Sequence, residues 1–257
     1  MKTLIFTNQK GGVGKSVSAV SVASGLSLHG FRTLLVDVDP QGHATIASGI
    51  LPDEEDLTTY EVLKGTATAA EAIRSTASGY DLIATDIRQS GAELELASAP
   101  GRDFILREAL EPLSNKYDFV IIDSAPSLNI ITLMALTAAD HAVVTLKADY
   151  LSLQGVAQLR DTIDIVKRRL NPKLSIIGIL LTFYNSRKNI SRQVEAQAEE
   201  VFGSLVFDTK ITQAAALEEL PASGQSIFEY KPKSKSALQY MQLTEEIISR
   251  TTRRGRR

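Results

Sequence analysis

The chain has 257 residues, 44% of them hydrophobic and 23% charged, with a formal net charge of −2. That balance fits a globular fold with a substantial core, and a near-neutral average is compatible with a locally basic face. The absence of cysteine excludes disulfides, thiolate metal centres and cysteine nucleophiles. No apolar run reaches the length of a membrane span, and no leader pattern precedes the first apolar segment, so a cytoplasmic protein is expected.

The first element is an apolar strand over residues 2–8, followed by Gln9-Lys10-Gly11-Gly12-Val13-Gly14-Lys15-Ser16 and a helix over 16–28. A strand, a glycine-rich turn and a helix start make a phosphate cradle. Backbone N–H groups converge, the helix dipole favours anions, and Lys15 neutralises the terminal phosphates. Ser16 stands where a hydroxyl ligand for Mg²⁺ belongs. The glycine that usually opens such a loop is Gln9 here, and a second lysine, Lys10, follows it. The loop starts so early that no helix-turn-helix is expected before it.

A second strand over 32–38 leads into Asp37-Val38-Asp39-Pro40. Spacing by two places both carboxylates on the same side of an extended chain, within reach of the crevice beyond the strand ends. Asp39, later on the strand, is the better candidate to orient a water attacking a γ-phosphate. Residues 42–101 are less regular, with an acidic patch at 53–56 and an alanine-rich helical piece near 69–75, and read as short helices and loops over the nucleotide face.

Further on come a helix over 103–113 and an apolar strand over 119–123 that closes on Asp123. A carboxylate at that point can hold a Mg²⁺-bound water. Helices over 128–138, 153–170, 190–202 and 234–250 alternate with strands over 142–146 and 175–182 and a shorter one at 205–207. The apolar strand cores are continuous rather than alternating, as in strands buried on both faces. This order predicts an α/β fold, a mainly parallel twisted sheet flanked by helices on both faces. One domain over 1–250 is expected. The basic run from Arg250 to Arg257 cannot bury anything, and 251–257 form a mobile basic tail. The three histidines do not cluster at ligand spacing.

The runs Lys10 to Ser16, Asp37 to Gly42 and Ile121 to Leu128 together resemble the ParA/Soj family of DNA-partition ATPases, within the P-loop group that carries a deviant Walker A motif and also includes MinD. The resemblance continues through residues 150–155, 180–187, 207–209, 221–224 and 232–237, nearly the whole chain. It implies ATP and Mg²⁺ bound at Gly11, Gly12, Val13, Gly14, Lys15, Ser16 and Val17, with Pro232 also at the nucleotide. It implies a face-to-face homodimer in which Lys10 reaches the partner's phosphates, Asp39 positions the attacking water, and Asp123 stands behind the metal. It further implies non-specific double-stranded DNA binding by the ATP dimer, with Arg187 matching a family DNA arginine and Lys188 and Arg192 close to it in sequence. Release would follow slow hydrolysis stimulated by a ParB-type partner, moving chromosome or plasmid cargo over the nucleoid.

Two departures stand out. Val17 replaces a usual threonine of the loop, and Gln213 and Ala216 occupy places where relatives carry arginines, one tied to DNA binding. Lys210, Lys231, Lys233, Lys235 and the tail arginines are the candidate sources of the missing charge. Among rivals, an iron–sulfur ATPase lacks its cysteines. A MinD-like membrane-surface ATPase lacks an amphipathic end, since Leu238, Met241, Leu243, Ile247 and Ile248 read as the core face of a docked helix. Lys10 argues against a metabolic ligase or kinase, and a ParA-like positioning ATPase for non-DNA cargo stays open.

Overall fold

The structure, a computed structural model, describes residues 1–149 and 152–252, with side chains described outside 152–159. The chain runs β1 (Lys2–Thr7), α1 (Lys15–Leu28), β2 (Thr33–Asp37), α2 (His43–Ala47), α3 (Thr59–Lys64), β3 (Ile73–Ser75) and β4 (Asp81–Ile83). It continues α4 (Gln89–Leu96), α5 (Ile105–Leu110), β5 (Phe119–Asp123), α6 (Ile130–Ala138), β6 (His141–Lys147) and α7 (Ser152–Arg169). The last elements are β7 (Ser175–Thr182), α8 (Asn189–Phe202), α9 (Ala215–Ser223), α10 (Ile227–Tyr230) and α11 (Lys235–Thr252).

Among the described residues the strands form one sheet in the order β3-β4-β2-β5-β1-β6-β7, parallel except for β3 against β4. Alternate residues of each central strand enter opposite cores. Leu4, Phe6, Leu35 and Ile121 meet α1 and α11, whereas Ile5, Leu34, Val36 and Ile122 belong with the side of α5, α6 and α8. This two-sided burial is why the strand cores read as unbroken apolar runs. The chain crosses over β5 between β1 and β2, so the carboxyl ends of β1, β2 and β5 converge on one crevice, where ligands of such sheets bind.

Several expectations change. The alanine-rich piece near 69–75 is not a helix: Ile73–Ser75 is an edge strand paired with β4, joined by a turn in which Thr76 N–H donates to Tyr80 O and Gly79 takes φ 83°. Strand β4, unread in the sequence, is only three residues long, too short for periodicity to expose. The helix over 103–113 divides into 3₁₀, α and 3₁₀ turns, with Pro112 in the last of them, where a missing N–H ends the α pattern. Residues 205–207 form no strand but one isolated bridge, Val206 to Ile179. The reason is local. The N–H groups of Asp208 and Thr209 turn away to the Glu246 carboxylate of α11, at 3.1 and 3.0 Å, and the ladder cannot extend.

The C-terminal end is also better anchored than expected. α11 continues to Thr252, and Arg250 donates to the carbonyls of Ile177, Leu205 and Val206 while its guanidinium lies 4.2 Å over the Phe207 ring. Arg250 and the buried Thr251 therefore belong to the fold; the tail residues 253–257 lie outside the described residues.

Candidate active site

The glycine loop is shaped by two left-handed residues, Gly12 at φ 67° and Gly14 at φ 80°, which a side chain would strain. Side chains from distant strands hold it. Thr182 at the end of β7 donates its hydroxyl to Val13 O at 2.9 Å. The Asn8 side chain accepts from Lys10 N at 3.0 Å and donates to Thr145 O of β6. Helix α1 then begins at Lys15, presenting free N–H groups and the positive end of its dipole to the loop's concavity.

Lys15 is 6% exposed. Burial pushes its pKa down, and the nearby carboxylates of Asp123 and then Asp39 oppose that shift. Asp123 ends β5, in register with Phe6 of β1 and Asp37 of β2. It is fully buried, and neither carboxylate oxygen has a hydrogen-bond partner among the described residues. Burial, followed by the Asp37 charge, drives its carboxyl well above the usual range, against the Ser16 hydroxyl and Lys15. Two orphaned acceptors beside a loop serine fit a hydrated Mg²⁺: Ser16 would ligate the ion and Asp123 would accept from its water. No group of three or more His, Asp or Glu placed to hold a metal ion occurs among the described residues.

Asp37 and Asp39, read together in the sequence, part company in the fold. β2 ends at Asp37, so the alternation that would have aimed both at the crevice stops there. Asp37 is fully buried, accepts from Asp39 N at 3.1 Å and from Thr45 N and Oγ1 at 2.8 Å each, and burial lifts its pKa to about 7. It is a clasp inside the loop. Asp39 instead lines the cradle with Gly11 to Val17, accepting from Gln41 N at 3.0 Å.

Residues from far along the chain complete the cradle, a cavity of about 280 Å³: Gln41, His43, Pro126, Phe183 and Pro221. Beside it lies an apolar cavity of about 170 Å³, walled by Val17, Phe183, Ile211, Leu217, Pro221 and Tyr240 among others. Phe183 holds φ at 50°, a genuine outlier for a bulky residue, and lines both spaces. Such strain, of order 1–3 kcal/mol, concentrates at ligand clamps. Sequence reasoning missed these residues, since nothing near Phe183 or Pro221 marks a partner at residue 14. Pro232 does not line the cradle. Its loop turns outward between α10 and α11, where Ser234 N bonds Lys231 O, and Pro232 borders an open groove with Phe228, Leu238 and Met241.

A family model described as an AAA domain matches residues 1–176. The chromosome partitioning protein ParA of Myxococcus xanthus is 41% identical over 98% of this chain and 89% of its own length. The chain belongs to the ParA/Soj family of partition ATPases. The sporulation initiation inhibitor protein Soj of Bacillus subtilis is 38% identical over 96% of this chain and 98% of its own. Among solved structures, one titled cobyrinic acid a,c-diamide synthase from Mycobacterium smegmatis, with bound ATP analogue and magnesium, superposes at TM-score 0.87 with 35% identity, covering 100% of this chain and 97% of that one.

Against this ParA/Soj background the basic residues separate by environment. Arg187 and Lys188 lie in the loop after β7, and Arg192 in the first turns of α8 bonds Asn189. Lys210 is ion-paired with Glu195, which also accepts from Tyr184. Lys233 and Lys235 rim the open groove at the start of α11. Gln213 is exposed beside Glu218, and Ala216 is 8% exposed, so a long cation there would need a different packing. On α11, Leu243 and Ile247 are buried as expected, but Leu238 is 60% exposed. No helix among the described residues is long and apolar enough to cross a membrane.

Proposed function

We propose that this chain is a partition ATPase whose Mg²⁺–ATP state is a face-to-face homodimer. That dimer binds double-stranded DNA without sequence preference and lets go after hydrolysis stimulated by a ParB-type partner. The observation that carries the reading is the meeting of Lys15, Asp39 and Asp123 about one cradle, drawn from α1 and the ends of β2 and β5. The triphosphate lies along residues 11–16, with Lys15 against its charge and the loop N–H groups as donors. The base enters the apolar cavity of Val17, Phe183, Leu217 and Pro221, where the missing hydroxyl at Val17 is no loss.

Mg²⁺, when bound, neutralises phosphate charge; Ser16 and Asp123 are the residues that would hold it and its water. Asp39 orients the attacking water and accepts its hydrogen bond. Lys10 supplies positive charge to the opposite protomer's phosphates, as an arginine finger does. Arg187, Lys188, Arg192, Lys210, Lys233 and Lys235 contribute the phosphate grip, and the protein acts in the cytoplasm on the nucleoid.

ATPase activity and DNA pelleting of the wild type beside Lys10→Ala and Asp39→Ala test this. Wild type should pellet DNA only with ATP, Asp39→Ala should pellet it without turnover, and Lys10→Ala should do neither. DNA pelling that ignores nucleotide would overturn the cycle.

A further inference from the structure

Residues 37–45 close into a ring. Asp37 Oδ1 accepts from Asp39 N at 3.1 Å, and its Oδ2 accepts from both Thr45 N and Thr45 Oγ1 at 2.8 Å. One carboxylate thus bridges the start and the end of the loop that presents Asp39. Within the ring the remaining bonds are short-range, such as Gly42 N to Asp39 O at 2.8 Å. What anchors the ring to the next strand is the Thr45 hydroxyl. It accepts from Thr85 N at 3.1 Å while donating to Asp37.

Two further contacts meet at this seam. Gly42 takes φ +62°, where a side chain is strained, and an added Cβ would only touch Thr85 O, at 3.6 Å. Thr59 Oγ1 bonds both Asp37 O, at 2.6 Å, and Ala84 O, at 2.8 Å. Asp37 and Thr45 are 0% and 1% exposed, so water cannot replace a lost bond. A hydroxyl is needed at position 45 because the site demands one donor and one acceptor from the same atom.

We propose that Thr45 is a positioning residue for hydrolysis: its hydroxyl locks the 37–45 ring against Thr85 and thereby fixes the Asp39 carboxylate over the cradle. This rests on the reading of Asp39 as the group that orients water. Thr45 touches neither nucleotide nor water. Its loss lets the ring shift by a fraction of an ångström, which penalises the chemical step and spares ATP binding, since the residues that grip the phosphates belong to another loop.

The test compares Thr45→Val, which keeps the shape and removes the hydroxyl, with Thr45→Ser, which keeps the hydroxyl. Hydrolysis at saturating Mg²⁺–ATP and ATP affinity are measured below each variant's melting temperature. Thr45→Val should lose about 10- to 100-fold in kcat with ATP affinity retained, and Thr45→Ser should recover most of that loss. Wild-type kcat in Thr45→Val, equal impairment of both variants, or a matching loss of ATP affinity would overturn the proposal. Should Thr45→Val not fold, Thr45→Ala, which also lacks the hydroxyl, should show the same split, and undiminished kcat there would be equally fatal. Asp39→Ala runs alongside: wild-type turnover by it defeats the Asp39 reading, whereas an inert Asp39→Ala beside a fully active Thr45→Val defeats the Thr45 inference alone.

Discussion

The Lys10 ammonium lies 3.1 and 3.2 Å from the two carboxylate oxygens of Asp149, in the same chain, just past the end of β6. Both side chains are more than a third exposed, so the pair contributes at most about 1 kcal/mol. In the proposed dimer a partner's triphosphate, with several negative charges, would be the stronger attractor. Lys10→Ala should keep nucleotide binding and lose the ATP-dependent dimer; a stable ATP dimer seen by sedimentation or light scattering would refute the role in trans. Asp149→Asn should raise the dimer fraction at limiting ATP, and an unchanged fraction would show that the pair does not compete.

Asp123→Asn tests the metal assignment. An unpaired buried carboxylate is unfavourable until a cation arrives, so the neutral side chain should leave the nucleotide-free protein as stable or more so. Mg²⁺-dependent ATP binding should weaken at least about tenfold. An unchanged Mg²⁺ titration would remove Asp123 from the site.

Asp37 gives the fold a pH dependence. Its carboxyl is lifted by burial from 3.8 to about 7, so between these values the folded chain holds a proton that the unfolded chain releases. Its contribution is therefore complete below about pH 4 and is lost as pH rises through about 7. In Mg²⁺-free buffer the melting temperature of Asp37→Asn should fall less between pH 4 and 7 than that of wild type. Identical slopes would contradict this.

Arg250→Ala should destabilise by about 2–3 kcal/mol, because three partly buried carbonyls lose a charged donor together. Thermal or denaturant unfolding reads this directly, and a loss under half a kcal/mol would deny the anchoring role. It also changes how the tail must be probed. Deleting residues 253–257 tests whether they add a salt-sensitive phosphate grip, whereas a deletion from 250 would confound it with unfolding.

The proposed base cavity predicts a size-dependent block. Leu217→Trp places a bulky ring in a space of about 170 Å³ and should cut ATP affinity at least about tenfold with little change in melting temperature. Undiminished binding would move the base elsewhere.

The phosphate loop, the carboxylate ending β5 and the parallel sheet were legible in the chain because each is written in neighbouring residues. Glycines at φ 67° and 80°, an apolar run ending in Asp123 and continuous strand cores carry their meaning locally. Strand β4 and the 3₁₀ breaks were not, being too short to show a period.

Local order favoured Asp39 by its later place on the strand but aimed Asp37 at the crevice as well; that Asp37 turns inward depends on where β2 stops pairing and on Thr45 arriving from the next helix. The same holds for Phe183 and Pro221 at the cradle and for Arg250 under Phe207, all brought in from distant segments. Backbone conformation and strand patterning are set by adjacent residues and were fixed by composition and spacing. Burial, ion pairing and the direction of a side chain are set by whatever packs against it, and only the folded arrangement decided those.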